Sequence, residues 1–463
     1  MPPTIAENRA DYKNKAHLEM VAELEVVRDC DRGTPAIKAK GIKYLPKWPG
    51  ERQSVYNGRL ARSFFFNSYR KIKNGLIGMV VKTNPVLGDD IPAEVKAHLE
   101  NVDGAGTHID VWIKELLNKV IEGHAHVFVD MEKPLPPGST AKQAELKNRR
   151  PFWLLYAKDQ AINFMPGRIN GEEVLTQITF AECATVRAGK YGETEVMQYR
   201  VLELPVTEVD ERGEPTAYGP MRWELQRRNA QTNELEVIDG GETKLDRIPV
   251  VTIYSNKRAF MLSDPYLLEL AYLNIAHYQK WSDLDTQEKA LVPILVHKEV
   301  DEAAKGAAPK DKKPQNEQRQ IGPNVVFRLT GKDDTLEWKS HESKGVDSAR
   351  QSLLDIEQRM SATGLSIIAP KDKVAVTATD KVLDQGERTS ELSTLARAIQ
   401  DGVESCLGIH ARYIGKADAN GDGGSITIVV DTGNVASITA IDAPKTTLPQ
   451  PQPQPAPGSS AVQ

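Results

Sequence analysis

The segment 345–363 constrains this chain more than any other. Val346, Ala349, Leu353, Ile356 and Met360 recur at spacings of 3, 4, 3 and 4, and polar or charged residues fill most positions between them. A helix with so narrow a stripe packs against one neighbouring helix and cannot sit at the centre of a broad core. A matching candidate precedes it. Asp264 and Pro265 have the form of an N-cap and first-turn pair, followed by Leu268, Tyr272, Ile275, Tyr278, Trp281 and Leu284 at steps of three or four. Between the two helices lie strand-like runs, LVPILV (291–296) and NVVFRLT (324–330), joined by a Lys-, Glu- and Pro-rich loop over 298–320. A loop from Gly364 to Asp380 and a third helix, 386–414, follow; Leu392, Leu395, Ile399, Val403, Cys406 and Tyr413 define its apolar face. A helix running out, a small β tip and a helix running back bury little within one chain. The seams therefore predict neighbouring copies, most simply side by side in a ring.

The rest of the chain divides by composition. Residues 1–33 read as a polar arm and then a helix with Leu18, Val21, Leu24 and Val27 on one side. GTPAIKAKGIKYLPKWPG (33–50) reads as an irregular excursion, and 51–81 as helix with Phe64, Phe65, Phe66, Tyr69, Ile72, Leu76 and Met79. After the turn 101–110, Thr107 and Asp110 fit a capping box. Ile109, Trp112, Ile113, Leu116, Leu117 and Val120 then supply an apolar face. The middle third is short β-branched or aromatic runs between Gly, Pro and Asn: 126–130, 151–157, 161–165, 175–182, 197–204, 222–227 and 248–254. These predict antiparallel strands, with 131–150 an exposed loop. SITIVV (425–430) predicts a last strand, and the Pro/Gln tail (448–456) predicts disorder. The fold class expected is α+β.

Charge narrows the function. The 463 residues carry 64 acidic and 59 basic side chains, a net −5, against a free-standing nucleic-acid binder. Three separated cysteines, Cys30, Cys183 and Cys406, exclude a disulfide scaffold or zinc ribbon and predict a reducing compartment. No secretory leader is expected from MPPTIAENRADYKNK, and no apolar run approaches the ~20 residues of a membrane span.

Motifs for chemistry fail one by one. No Walker A loop is present, and Gly104–Gly106 lack the rest of a dinucleotide fingerprint, which leaves them as a tight turn into the Thr107 cap. His124 and His126 lie on one face of a strand with no third ligand in reach, so an exposed strand face is expected rather than a metal edge. DANGDGG (418–424) begins like a calcium loop but has Val429 where a bidentate Glu is needed, so a polar turn is expected. Cys183 and Cys406 are expected as buried thiols. No catalytic residue, cofactor or metal is predicted, and the expectation is that the chain is not an enzyme.

The chain resembles the portal proteins of tailed bacteriophages, the head–tail connector rings. The resemblance rests on blocks in order: NVDGAGTHID (101–110), PFWLLYAKDQAINF (151–164), QYRVLEL (198–204), LDRIPVV (245–251) and PYLLELAYLNIAHYQKWSD (265–283). It covers roughly 10–415. It implies a virion protein at one capsid vertex, made in the host cytoplasm, in a ring of about twelve copies that conducts double-stranded DNA during packaging and ejection. Implied partners are further copies, the terminase large subunit, a head-completion or adaptor protein, and the major capsid or scaffold protein, with no membrane. Implied segments are a wing of mixed α/β structure with antiparallel strands (1–263), stem helices (264–290 and 345–363) around a small β clip (291–344), a tunnel loop (364–380) and a long helix toward wing and crown (381–415). Beyond it, 416–463 holds only a short strand and the tail, against a helical crown. Lys371, Lys373 and Lys381 would face DNA. Lys305, Lys310, Lys312 and Lys313 would meet docking partners, and Val346, Ala349, Leu353, Ile356 and Met360 would form an inter-subunit seam. Alternatives are another virion ring component, such as an adaptor or baseplate protein, or a metal-dependent enzyme built on His124 and His126.

Overall fold

A computed structural model describes residues 9–132, 149–213, 215–229, 231–243, 245–290, 294–298, 335–339, 344–363, 378–418 and 421–430. The chain begins with α1 (Lys15–Arg32), capped by Asn14, whose side chain accepts from the His17 N–H at 2.8 Å. Gly33, at φ +80°, ends α1, and Pro35 lies in the first turn of α2 (Thr34–Ala39). The expected irregular excursion is therefore partly helical: its Gly and Pro join two helices. The expected face of α1 is also turned. Met20, Leu24, Val27 and Cys30 are buried, whereas Leu18 and Val21 are exposed.

Residues 51–81 are two helices, α3 (Gln53–Arg62) and α4 (Ser68–Val81), not one. Asn67 starts the second by accepting from the Arg70 N–H at 2.9 Å, so the Phe64–Phe66 aromatics fall on the break. The pair β1 (Val86–Leu87) precedes α5 (Ala93–Leu99) and α6 (Ile109–Val120). All six expected apolar residues of α6 are buried. Its cap is His108, whose Nδ1 accepts from the Asp110 N–H, because the Thr107 hydroxyl is taken by Asp103 at 2.6 Å.

The sheets follow: β2 (His124–Met131), β3 (Pro151–Ala157), β4 (Ala161–Ile169), β5 (Glu172–Ala188), β6 (Gly192–Glu203), β7 (Val206–Val209), β8 (Pro215–Tyr218), β9 (Arg222–Arg228), β10 (Leu235–Glu242), β11 (Val250–Tyr254), β12 (Lys257–Ala259) and β13 (Leu262–Ser263). An antiparallel three-stranded sheet has the order β11-β2-β3, and an antiparallel five-stranded sheet the order β10-β9-β6-β5-β4. The small sheet divides two cores. Ala125, Val127 and Val129 of β2 face the helical core with Trp112, Leu116 and Val120, while Phe128 faces a second core with Phe164, Ile178, Phe180 and Leu202 of the large sheet. Alternation along the strand places both sets.

Three helices complete the chain: α7 (Leu268–Ala290), α8 (Lys344–Thr363) after the strand pair β14 (Ile294–Lys298) and β15 (Thr335–Lys339), and α9 (Ala378–Tyr413); β16 (Ile426–Thr427) then pairs with β1. Helix α7 starts at Leu268, after Asp264–Pro265, and Asp264 pairs with Arg258 instead of capping. The partner of β14 is 335–339; the expected strand at 324–330 lies outside the described residues, as do the Pro/Gln tail and 133–148. Helix α9 lies on the helical face of the three-stranded sheet. A side chain at Gly402 would come within 2.4 Å of Ile253, so glycine permits the close approach. The helical core crosses position 263, joining α1, α4, α6, α7 and α9. Among the described residues, no helix is long and apolar enough to cross a membrane.

Candidate assembly site

The helix pair α7–α8 and its β tip are the part of the fold that the seam singled out. Polar bonds fix the pair as antiparallel. His277 Nε2 donates to Glu357 at 3.0 Å, Lys280 donates to Ser352, and Arg350 pairs with Glu288 at 2.8 Å. The carboxylate can only accept, so the His277 proton resides on Nε2. Val346, Ile356 and Met360 are buried and Ala349 and Leu353 half-buried, with Ile356 and Met360 in the helical core. The seam assigned to a neighbouring subunit is thus largely covered within the chain, because α8 returns alongside α7. Leu354 on the far side of α8 is exposed.

Helix α7 is gripped by the break between α3 and α4. Asn274, fully buried, accepts from the Tyr69 N–H at 3.0 Å and donates to the Phe66 carbonyl at 2.7 Å. The Tyr278 hydroxyl meets Ser63 Oγ at 2.7 Å, and its ring lies edge-on to Phe65 with centroids 6.0 Å apart. Gln279 donates to the Tyr44 carbonyl at 3.0 Å. With one side against this clasp and another against α8, α7 shows no single apolar stripe, and Tyr272 of its expected face is exposed.

Lys371 and Lys373, like Lys305, Lys310, Lys312 and Lys313, lie outside the described residues. Lys381 is in the first turns of α9, which begins three residues inside the expected loop 364–380.

His124 and His126 share a face, ring centroids 4.8 Å apart, but both are fully buried, contrary to the expected exposed face. Their Nδ1 atoms meet Ser263 Oγ at 2.6 Å and Thr252 Oγ1 at 3.0 Å, and both Nε2 atoms have no partner. Two nitrogens do not close a metal site, and no group of three His, Cys, Asp or Glu ligands exists among the described residues. The glycines of DANGDGG serve packing: a side chain at Gly423 would meet the Leu407 carbonyl at 2.1 Å, and one at Gly424 the Ile91 backbone at 2.6 Å. Cys406 is buried as expected, but Cys183 is exposed on β5.

One polar chain was not legible in the sequence. The Trp153 indole donates to His410 Nδ1 at 3.1 Å, which places the His410 proton on Nε2, facing His98 Nδ1 at 2.9 Å. The chain joins β3, α9 and α5, and protonating His410 would turn an acceptor into a second donor facing the indole. Burial, with His98 and Arg150 nearby, holds His410 down at about 3, and burial alone does the same to His126. Both folded values lie below the unfolded ~6.5, so the unfolded chain binds more protons between these limits, and stability falls as pH drops from about 6.5 toward 3. Urea titrations across pH 4–6.5 should show a slope smaller by up to about 1.4 kcal/mol per pH unit in His410→Gln than in the parent. Equal slopes would remove His410 from the acid response.

Comparison with known proteins gives three findings. Residues 266–414, from just before α7 to just after α9, match a family described as a domain of unknown function, DUF4055. No curated protein matches the chain. Similar solved chains come from the "Neck of empty GTA particle computed with C6 symmetry" (10% identity, 84% of this chain and 87% of that one, TM-score 0.38) and the "Virion of native gene transfer agent (GTA) particle" (11% identity, 87% and 91%, TM-score 0.37).

Proposed function

We propose that this chain is a subunit of a portal-type ring in a tailed phage or phage-like particle. The ring would conduct double-stranded DNA in packaging and ejection and dock the terminase and then head-completion proteins. The observation that carries the reading is the antiparallel α7–α8 pair with the β14–β15 tip, followed by a 36-residue helix, α9, returning to the body from which α7 departs. The sequence blocks that resemble portal proteins support it, and their last block is the Asn274 clasp itself. In this reading, 1–263 is the wing, α7 and α8 the stem, the intervening segment with β14–β15 the clip, and the residues before α9 the tunnel loop.

A channel must pass its cargo without holding it. A net −5 per chain supplies weak repulsion, and a few lysines supply transient phosphate contacts independent of sequence. Lys371, Lys373 and Lys381 take that role here, and Lys305, Lys310, Lys312 and Lys313 the docking of partners.

Electron microscopy of the purified protein tests the reading. Annular particles of about twelve-fold symmetry, with a hole wide enough for a DNA duplex, are expected. A monomer at high concentration sinks it, and a closed ring without such a hole favours an adaptor or baseplate component. If rings form, joint Lys→Ala replacement at 371, 373 and 381 should alter packaging or genome retention; unchanged values remove the DNA assignment.

A further inference from the structure

The five-stranded sheet is not rectangular. Strands β5 and β6 pair along twelve positions, from Gln177–Glu203 to Ala188–Gly192. Strand β4 flanks β5 only as far as Phe180, and β9 flanks β6 only from Gln198 to Glu203. Cys183–Ala188 and Gly192–Met197 therefore extend as a two-stranded arm, about 20 Å long at ~3.3 Å per residue. Among the described residues no strand pairs with either outer edge of this arm. The turn has its own contacts: Arg187 donates to the carbonyls of Gly189 and Lys190, and the Lys190 ammonium lies over the Tyr191 ring at 5.0 Å. Tyr191 is 89% exposed.

The other side of the same sheet ends in β10, which among the described residues pairs only with β9. Val237 and Ile238 are exposed there. A bulge between Val237 and Asp239 leaves Ile238 without a partner on β9 and Leu235–Val237 as the regular stretch before it. The two free edges differ in charge. The β5 strand of the arm and its turn carry Arg187 and Lys190, with Glu193 and Glu195 across on β6, whereas β10 and its approach carry Glu234, Glu236, Asp239 and Glu242, the last paired with Arg222 at 2.7 Å. Unpaired edges are templates for strand addition, and charges of opposite sign select which edges meet.

We propose that the arm of one copy adds its β5 edge to the β10 edge of the next copy, extending the large sheet from subunit to subunit. The two edges lie on opposite sides of one sheet, so the contact is head-to-tail and propagates around a ring instead of stopping at a dimer. The inference rests on the ring reading, which it deepens by naming the surface that joins neighbours.

The exposed Cys183 provides the test, since Cys30 and Cys406 are buried. Full-length Leu235→Cys, Glu236→Cys and Val237→Cys variants would be assembled, oxidised with copper phenanthroline and resolved on a denaturing gel without reductant. Expected is a ladder beyond the dimer at alternating positions of the regular stretch, either 236 alone or 235 and 237, since successive side chains face opposite sides. Cys183→Ser should abolish the ladder. Rings without a ladder, equal cross-linking at all three positions, or cross-links that survive Cys183→Ser would overturn the arm contact while the ring reading stands. Chains that remain monomeric would overturn the ring reading itself.

Discussion

Replacing Asn274 with leucine is expected to cost roughly 2–6 kcal/mol of unfolding free energy, from about 1–3 kcal/mol for each buried group left without a partner. The amide is fully buried and holds the start of α4 on either side of its Asn67 cap, through the Tyr69 N–H and the Phe66 carbonyl. Leucine fills a similar volume, so the loss reports the two bonds and not a cavity. Urea unfolding of the purified chain measures it. In ring-forming preparations, the same substitution should impair assembly, because the clasp sets the departure angle of α7 and hence of the β tip. A loss below about 1 kcal/mol would mean that water or a shifted backbone replaces both bonds.

Glu51→Ala should cost about 3–5 kcal/mol, because it strands a buried cation. Arg59 and Glu51 side chains are 2% and 1% exposed and form a two-bond pair at 2.9 Å. Arg59 also donates to the Pro46 carbonyl at 2.7 Å and lies 4.3 Å from the Trp48 ring centre. The double variant Glu51→Leu with Arg59→Met should recover much of the loss, since removing both charges also removes both desolvation penalties. A double-mutant cycle separates the pair from its surroundings. Equal costs for the single and double variants would show that packing, not stranded charge, sets the effect.

These two sites show what was legible. The break at Phe64–Phe66 and the value of Asn274 were invisible to periodicity, because a polar residue inside an apolar pattern shows its worth only when its backbone partners, some 205 positions away, are known. The apolar face of α6 is legible residue by residue, because it meets one core on one face, whereas its cap, His108 in place of Thr107, is not. Helix α7 was misread at Tyr272 because it is contacted on two sides and no stripe survives. Strand β10 was missed: Gly240, Gly241 and its acidic residues give it none of the β-branched alternation that marked the others. The spacing of the β2 histidines, with no third ligand in reach, predicts an exposed face, yet the strand is covered on both faces.

The α+β class, most of the antiparallel strands and the one-helix-wide seam of α8 follow from local spacing and residue type alone. Tertiary structure decided which partner met each pattern. The seam specified only that α8 needs one helix beside it; chain return through the β14–β15 tip supplied α7 as that helix. Likewise, β5 and β6 were visible as strands, but only the unequal lengths of their neighbours left an arm with two open edges. Local periodicity fixes which face a residue lies on, whereas the identity of what covers that face is a property of the whole chain's path.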